Sequence, residues 1–236
     1  MRSLLVLLAL AACGKSEPKR DLDLDLIEVL GANMRTDTVG GGEFTDTATF
    51  VLVDAKNRAT EGAYVTLGGE LVDDGGAKVG DLMIQSLWIP AGETRTYALV
   101  DTERKARPTA TRARAKVRGA SVFPPPLARI EEIHTFDDHG QLVIQAYLVN
   151  DAPGDGTVMV VGVFHDAGGR PLTRPFNVVK IGGKPAATPG AITTVVPGNC
   201  PDAGENRLPL TSKCPIQFVG PPGAKRGTMF VGDTVY

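Results

Sequence analysis

Imidazole and carboxylate side chains crowd together in His134-Thr-Phe-Asp137-Asp138-His139-Gly140, and a further pair, His165-Asp166, ends a Val-rich run. Such nitrogen and oxygen donors suit zinc, and three protein ligands leave a fourth position open for water. His134, Asp138, His139 and His165 are therefore the candidate metal ligands. Lying between two strand-like runs, Asp-Asp-His-Gly also has the composition of a hairpin turn, so both readings stand at this level. Other catalytic apparatus is missing from the sequence. No Gly-x-Ser-x-Gly elbow surrounds Ser86, Ser121 or Ser212, no phosphate loop precedes Lys184, and there is no dinucleotide fingerprint. A non-catalytic protein without a cofactor is expected.

Arg112-Ala-Arg114-Ala-Lys116-Val-Arg118 is the most ordered charge pattern in the chain. A period of two sets Arg112, Arg114, Lys116 and Arg118 on one face of a strand, with Ala113, Ala115 and Val117 on the other. Two readings follow from this. Asp21, Asp23 and Asp25 offer a complementary acidic row on a neighbouring strand, where each cross-strand pair contributes a few tenths to about 1 kcal/mol. Alternatively the stripe is a binding surface for acidic headgroups, glycans or an acidic partner, helped by Lys15, Lys19 and Arg20. The formal net charge of -2 argues against nucleic acid as the target.

These residues need a scaffold, and the sequence points to an all-β one. With 28 Gly and 17 Pro, short alternating runs of Val, Thr, Leu and Tyr recur between turn-forming clusters, the pattern of a β-sandwich. Asp21-Leu-Asp-Leu-Asp-Leu26 alternates strictly and predicts a strand with its leucines inward. It does not start an EF-hand, since Leu26 sits where that loop requires Gly and Ala32 where it requires Glu. The sole tryptophan, Trp88, alternates with its neighbours as a core residue does.

An internal repeat sets the domain count. Val65-Thr-Leu-Gly-Gly-Glu-Leu-Val-Asp-Asp-Gly-Gly76 lies over Val158-Met-Val-Val-Gly-Val-Phe-His-Asp-Ala-Gly-Gly169 without a gap. Each copy reads as a strand entering a Gly-Gly turn, where positive φ is cheap. Phe50-Val-Leu-Val-Asp54 precedes the first copy and Ala146-Tyr-Leu-Val-Asn150 the second. Two related sandwiches are predicted, separated by the Pro-rich 119–127 segment, which makes a short, stiff linker.

The amino terminus gives an address. Met1-Arg2, then a Leu-, Val- and Ala-rich run too short to span a bilayer, reads as a secretory signal. Leu10-Ala11-Ala12-Cys13 resembles the lipobox of bacterial lipoproteins; the other possibility is an ordinary cleaved signal with an incidental cysteine. The resemblance implies that residues 1–12 are removed, that Cys13 becomes a lipidated N-terminus, and that 13–20 is a tether. It also implies that Gly14, which is not the Asp of inner-membrane retention, favours the outer membrane. With Cys13 so used, Cys200 and Cys214 remain of the three cysteines as a disulfide pair, for which the chain-entropy model gives roughly 3 kcal/mol.

The body of the chain carries a second likeness. A strand ending in Val-Asn, a Val-rich strand, Phe164-His165-Asp166, a Gly-Gly turn and Arg170-Pro171-Leu172 resemble the prokaryotic FxLyD-type domain, an immunoglobulin-like sandwich of secreted and lipid-anchored bacterial proteins. In the first copy, Ile89-Pro90-Ala91-Gly92-Glu93 and Tyr97-Ala98-Leu99-Val100-Asp101 are similar to that family's Pro-Gly turn and closing motif. The second copy lacks the closing motif and runs instead into Pro197-Gly-Asn-Cys200. The likeness implies two tandem immunoglobulin-like antiparallel sandwiches, over 21–118 and 128–236, and transfers no catalytic residue. The expected protein is a lipid-anchored envelope accessory, an adaptor for another envelope protein, with a small-ligand or metal-ion binder as the alternative. The loop between Cys200 and Cys214, carrying Asp202, Glu205 and Arg207, is the second candidate binding site because loops on rigid β scaffolds carry function.

Overall fold

Strands rich in Val, Leu, Thr and Tyr, cut at Gly, Pro and Asp, make this chain almost entirely β. The computed structural model describes residues 20–40, 45–151, 157–175, 191–192 and 213–235. Cys13, Cys200, Asp202, Glu205, Arg207, the signal segment and the tether before Arg20 lie outside the described residues. So does the Cys214 side chain.

In the first half, β1 (Arg20–Asp21), β7 (Arg112–Val122), β4 (Ala63–Val72) and β5 (Lys78–Ile89) form one sheet in the order β1-β7-β4-β5. A second sheet places β3 (Asp46–Asn57) between β2 (Ile27–Val39) and β6 (Thr94–Val100). The two sheets face each other over a core that includes Val51, Val53, Val65, Leu67, Leu87 and Leu99. Tyr97 of β6 reaches across this core, and its hydroxyl donates to the Val65 carbonyl of β4 at 2.8 Å. Burial raises the Tyr97 phenol well above its ordinary value, so it stays a donor at any working pH.

The second half repeats this plan. β9 (Gln141–Asn150) lies between β8 (Ala128–Asp138) and β13 (Lys213–Val219), as β3 lies between β2 and β6; β10 (Thr157–His165) pairs antiparallel with β14 (Arg226–Val235), as β4 pairs with β7. Ile144, Ala146, Leu148, Val160, Phe164, Ile216, Phe218 and Met229 fill its core. Two short segments, β11 (Arg174–Pro175) and β12 (Ala191–Ile192), pair in parallel. The repeat extends to the turn atoms. The Asp73 amide donates to the Ala77 carbonyl at 3.0 Å and the Asp166 amide to the Arg170 carbonyl at 3.0 Å; each Asp Oδ1 then accepts the returning amide, Ala77 at 2.8 Å and Arg170 at 2.9 Å. Gly76 and Gly169, at φ 83° and 86°, close the two turns in the left-handed region that glycine enters freely.

Two local expectations are corrected. Asp21–Leu26 is not one alternating strand: β1 stops at Asp21, and Leu24–Leu26 forms a 3-10 turn. The Asp23 carboxylate accepts from the Asp25 amide at 3.0 Å, a local bond that competes with a sheet ladder. Leu24 is consequently 42% exposed. The 119–127 segment is not all linker, because β7 runs on to Val122, with Gly119, Ala120 and Ser121 paired to Thr66, Val65 and Tyr64 of β4.

The halves are packed against each other, a contact that no linker reading supplies. In the gapless overlay of the repeat, Gly68 and Glu70 of β4 correspond to Val161 and Val163 of β10. Those two valines and Phe230 of β14 join the first half's core instead of their own. Arg35 of β2 donates to the carbonyl oxygens of Leu172 and Thr173 and lies over the Phe50 ring, 5.1 Å from its centroid. The Arg95 guanidinium sits 4.6 Å from the centroid of Phe230. Along β3, Phe50, Val51, Leu52 and Val53 are all buried, so the strand is covered on both faces.

Candidate functional site: a cationic sheet face and its surroundings

The period of two along β7 does what it requires. Arg112, Arg114, Lys116 and Arg118 are exposed, while Ala113, Ala115 and Val117 are half-buried and packed on the first core. Their neighbours differ from the expected acidic row. β1 meets β7 only at Val122 and Ser121, and Asp21 accepts from the Ser121 hydroxyl at 3.3 Å. The acid opposite Arg114 is Glu70 of β4, at 3.1 Å. Arg112 donates to the Asp74 carbonyl at 3.5 Å. Lys116 and Arg118 make no ion pair or side-chain hydrogen bond among the described residues.

What lies beside these two cations is glycine and hydrocarbon. Lys116 stands opposite Gly68 on β4. A methyl group on Gly68 would meet Ile84 Cγ2 at 2.9 Å and Arg118 Cγ at 3.3 Å, so side chains from β5 and β7 lean together over that glycine. Ile84 is 69% exposed and Met83 41%. At the other end of the same face stands an aromatic group. Trp88 of β5 pairs with Tyr64 of β4, Tyr64 meets Phe123 edge-on at 5.5 Å between centroids, and Trp88 Nε1 donates to the Phe123 carbonyl at 3.2 Å. Trp88 is therefore only half-buried on the outer face; Leu87 and Ile89 take the core positions on either side of it.

β7 also has an open edge. Its inner side pairs with β4 throughout, whereas on the far side the hydrogen bonds among the described residues come from β1 and from the Leu22 amide on the Ala120 carbonyl. Among the described residues no strand pairs with that side from Arg112 to Gly119. Alternating cations are one way a natural sheet protects such an edge from another chain.

The histidines are dispersed. His139 and Gly140 are the two central residues of the β8–β9 hairpin, at φ 51° and 85°, the geometry of a type I′ turn. The Gly140 amide donates to Asp137 Oδ1 at 2.8 Å, and His139 Nδ1 lies 2.7 Å from Asp138 Oδ1 with its ring in solvent. His134 is exposed on β8, in one sheet of the second half; His165 ends β10, in another. Among the described residues, no three His, Cys, Asp or Glu side chains are grouped to hold a metal ion.

His165 has a different setting, beside the junction of the halves. Burial pulls its imidazole below the ordinary value of 6.5; Asp54 opposes this, Arg226 adds to it, and Asp166 opposes it. The neutral ring is thus favoured by folding, and its contribution is complete above pH 6.5 and is lost as pH falls through the unfolded value toward the folded one. Urea midpoints measured from pH 7.5 to 5 should drop less in His165→Gln than in the parent chain; equal slopes would remove His165 from the account. Nearby, Gly31, Ala32, Asn33, Leu52, Asp54 and Pro171 line a hollow of about 190 Å³. Its carboxylate, Asp54, already accepts from Thr96 Oγ1 at 2.5 Å.

The most deeply placed ion pair among the described residues is one that sequence reading missed. Asp101, whose side chain is fully buried, accepts Arg107 Nε at 2.8 Å and Nη2 at 3.1 Å. Asp101 Oδ1 also accepts the amides of Glu103 and Lys105, at 3.1 and 3.3 Å. In Asp101-Thr-Glu-Arg-Lys-Ala-Arg107 the charges look like an ordinary solvated loop, and no signal separates the buried pair from the rest. It organises the turn leading to β7. Compared with known proteins, the chain matches no family model, no curated protein and no solved structure.

Proposed function

We propose that this chain is a lipid-anchored protein of the bacterial cell envelope that works as a non-catalytic binding or structural accessory, an adaptor for another envelope protein. The lipobox-like Leu10-Ala11-Ala12-Cys13 and the two repeats, read as tandem immunoglobulin-like sandwiches, support the address and the class. One observation carries the adaptor role. β8 is the outer strand of the sheet β13-β9-β8 and is exposed from Glu132 to Asp138, with Ile133 and Phe136 at 46% and 42%. Such an edge can accept an extended partner strand, whose backbone supplies affinity while alternate side chains supply specificity.

Two measurements test this reading. Metabolic labelling with a fatty acid should mark the parent chain and leave Cys13→Ser unlabelled and released from membranes; label retained without Cys13 would end the lipoprotein reading. A photocrosslinker at the exposed Thr135 of β8 should trap one dominant envelope protein in cells. Absence of any reproducible adduct would end the adaptor role.

A further inference from the structure

The outer face of β1-β7-β4-β5 combines three properties at one place: two cations, Lys116 and Arg118, with no ion pair among the described residues, exposed hydrocarbon and aromatic rings, and the point where the described chain enters the fold. Arg20 and Asp21 of β1 pair with Val122 and Ser121 of β7. The described chain therefore starts beside the Tyr64–Trp88–Phe123 group, on a strand paired with the one that carries Lys116 and Arg118. Six residues separate Cys13 from Arg20. Fully extended, the span from Cys13 to Arg20 is at most about 25 Å, which keeps this end of the sheet close to whatever surface holds Cys13.

We infer that this face docks on a bilayer surface bearing anionic phospholipid headgroups, so that the protein lies on the membrane through β7 and β5 and does not swing freely on its tether. The inference rests on the lipid-anchored reading for the presence of that bilayer. Lys116 and Arg118 provide the charge. Each cation held near an anionic surface adds a modest, salt-screened attraction. Ile84 and Met83 provide hydrocarbon at the middle of the face, and Phe123, 42% exposed, extends it past the end of β7. Trp88 and Tyr64 stand at the tether end, and amphipathic rings of this kind favour the level of the headgroups. The corresponding positions of the second half show the contrast: Val161 and Val163 are covered by the first half, while Gly68 lies against the Ile84 and Arg118 side chains and the half-buried Glu70 meets Arg114. On this assignment the β8 edge of the second half is left for a protein partner.

The test uses the chain from Gly14 onward, which keeps every described element and carries no lipid, so that its outcome is independent of acylation at Cys13. Co-sedimentation is measured with vesicles of phosphatidylcholine alone and of phosphatidylcholine mixed equally with phosphatidylglycerol, at low and high salt. Binding is expected to the anionic vesicles only and to weaken with salt. Lys116→Gln with Arg118→Gln should reduce it about thirtyfold, with an unchanged melting temperature. Trp88, the only tryptophan, reports the orientation: lipids brominated in the upper acyl chain should quench it on binding. Equal binding to both vesicles, full binding by the double variant or an unquenched Trp88 would each overturn the assignment. Salt-sensitive capture of polyglutamate without vesicle binding would overturn it too, and would give the face to an acidic polypeptide. Fatty-acid labelling at Cys13 remains a separate result, so loss of either conclusion is distinguishable from loss of the other.

Discussion

Asp101→Asn is expected to lower the unfolding free energy by about 3 kcal/mol, the low end of the range for removing one partner of a buried ion pair. The reason is what the carboxylate holds. It is fully buried, it takes both prongs of the Arg107 fork, and it accepts two amides from its own turn. An amide in its place keeps one acceptor oxygen but brings an NH₂ toward a guanidinium. Arg107 is 20% exposed on its side chain and retains Glu103 at 2.9 Å, which holds the loss to the lower end. The damage should be local as well as global, because the loop is knitted to the neighbouring strands. The Thr49 amide donates to the Lys105 carbonyl at 3.0 Å, and the Arg107 amide to Thr49 Oγ1 at 2.8 Å. Urea denaturation gives the total, and hydrogen exchange at Thr49 and Arg107 should rise ahead of global unfolding. A loss under 1 kcal/mol would show that the pair is replaceable. The double variant Asp101→Asn/Arg107→Met should recover part of the loss, since it removes the guanidinium left facing the new amide NH₂.

Gly69→Ala is expected to cost about 3 kcal/mol or more, at the upper end of overpacking penalties. A β-carbon there would sit 2.3 Å from the Arg114 carbonyl oxygen and 3.0 Å from Ala115 Cα, and both belong to the backbone of the adjacent strand. No rotamer change relieves a clash with backbone, so β4 and β7 must separate. The repeat supplies the internal comparison. Gly162 is the corresponding glycine, and a β-carbon there meets the Phe218 ring at 2.8 Å, a side chain that can turn. Gly162→Ala should therefore cost about 1–3 kcal/mol, less than its counterpart. Thermal melts of the two variants decide the matter, and the reverse order would mean that the sheet yields more easily than the ring. A failure of Gly69→Ala to accumulate as folded protein would agree with the larger effect; Gly69→Ala melting like the parent chain would refute it.

Much of the architecture was legible before any coordinates because its causes are local. A period of two along Arg112–Arg118 needs only the pleat of a strand to put the cations on one side. Asp-x-Gly-Gly turns close on their own carboxylate, so two copies in the sequence become two superposable turns in space. Asp21–Leu26 shows the limit of such reasoning: alternation is compatible with a strand, but a strand needs a partner edge, and Asp23 satisfies its neighbour's amide first. Trp88 shows another. The alternation around it was clear, yet which parity faces inward depends on the opposite sheet, and Leu87 and Ile89 occupy that side.

By itself the sequence determined the all-β class, the repeat, its turns and the one-sided row of cations, since each arises from interactions between residues near in the chain. Tertiary structure alone decided which charges meet, which valines leave their own half for the other's core, and which cations have no ion pair among the described residues. Glu70 faces Arg114 because of strand register across a bulge, and Asp101 is buried because two sheets close over its turn. Contacts of this kind depend on residues far apart in the chain and on the burial they share, and no spacing within a short window encodes either.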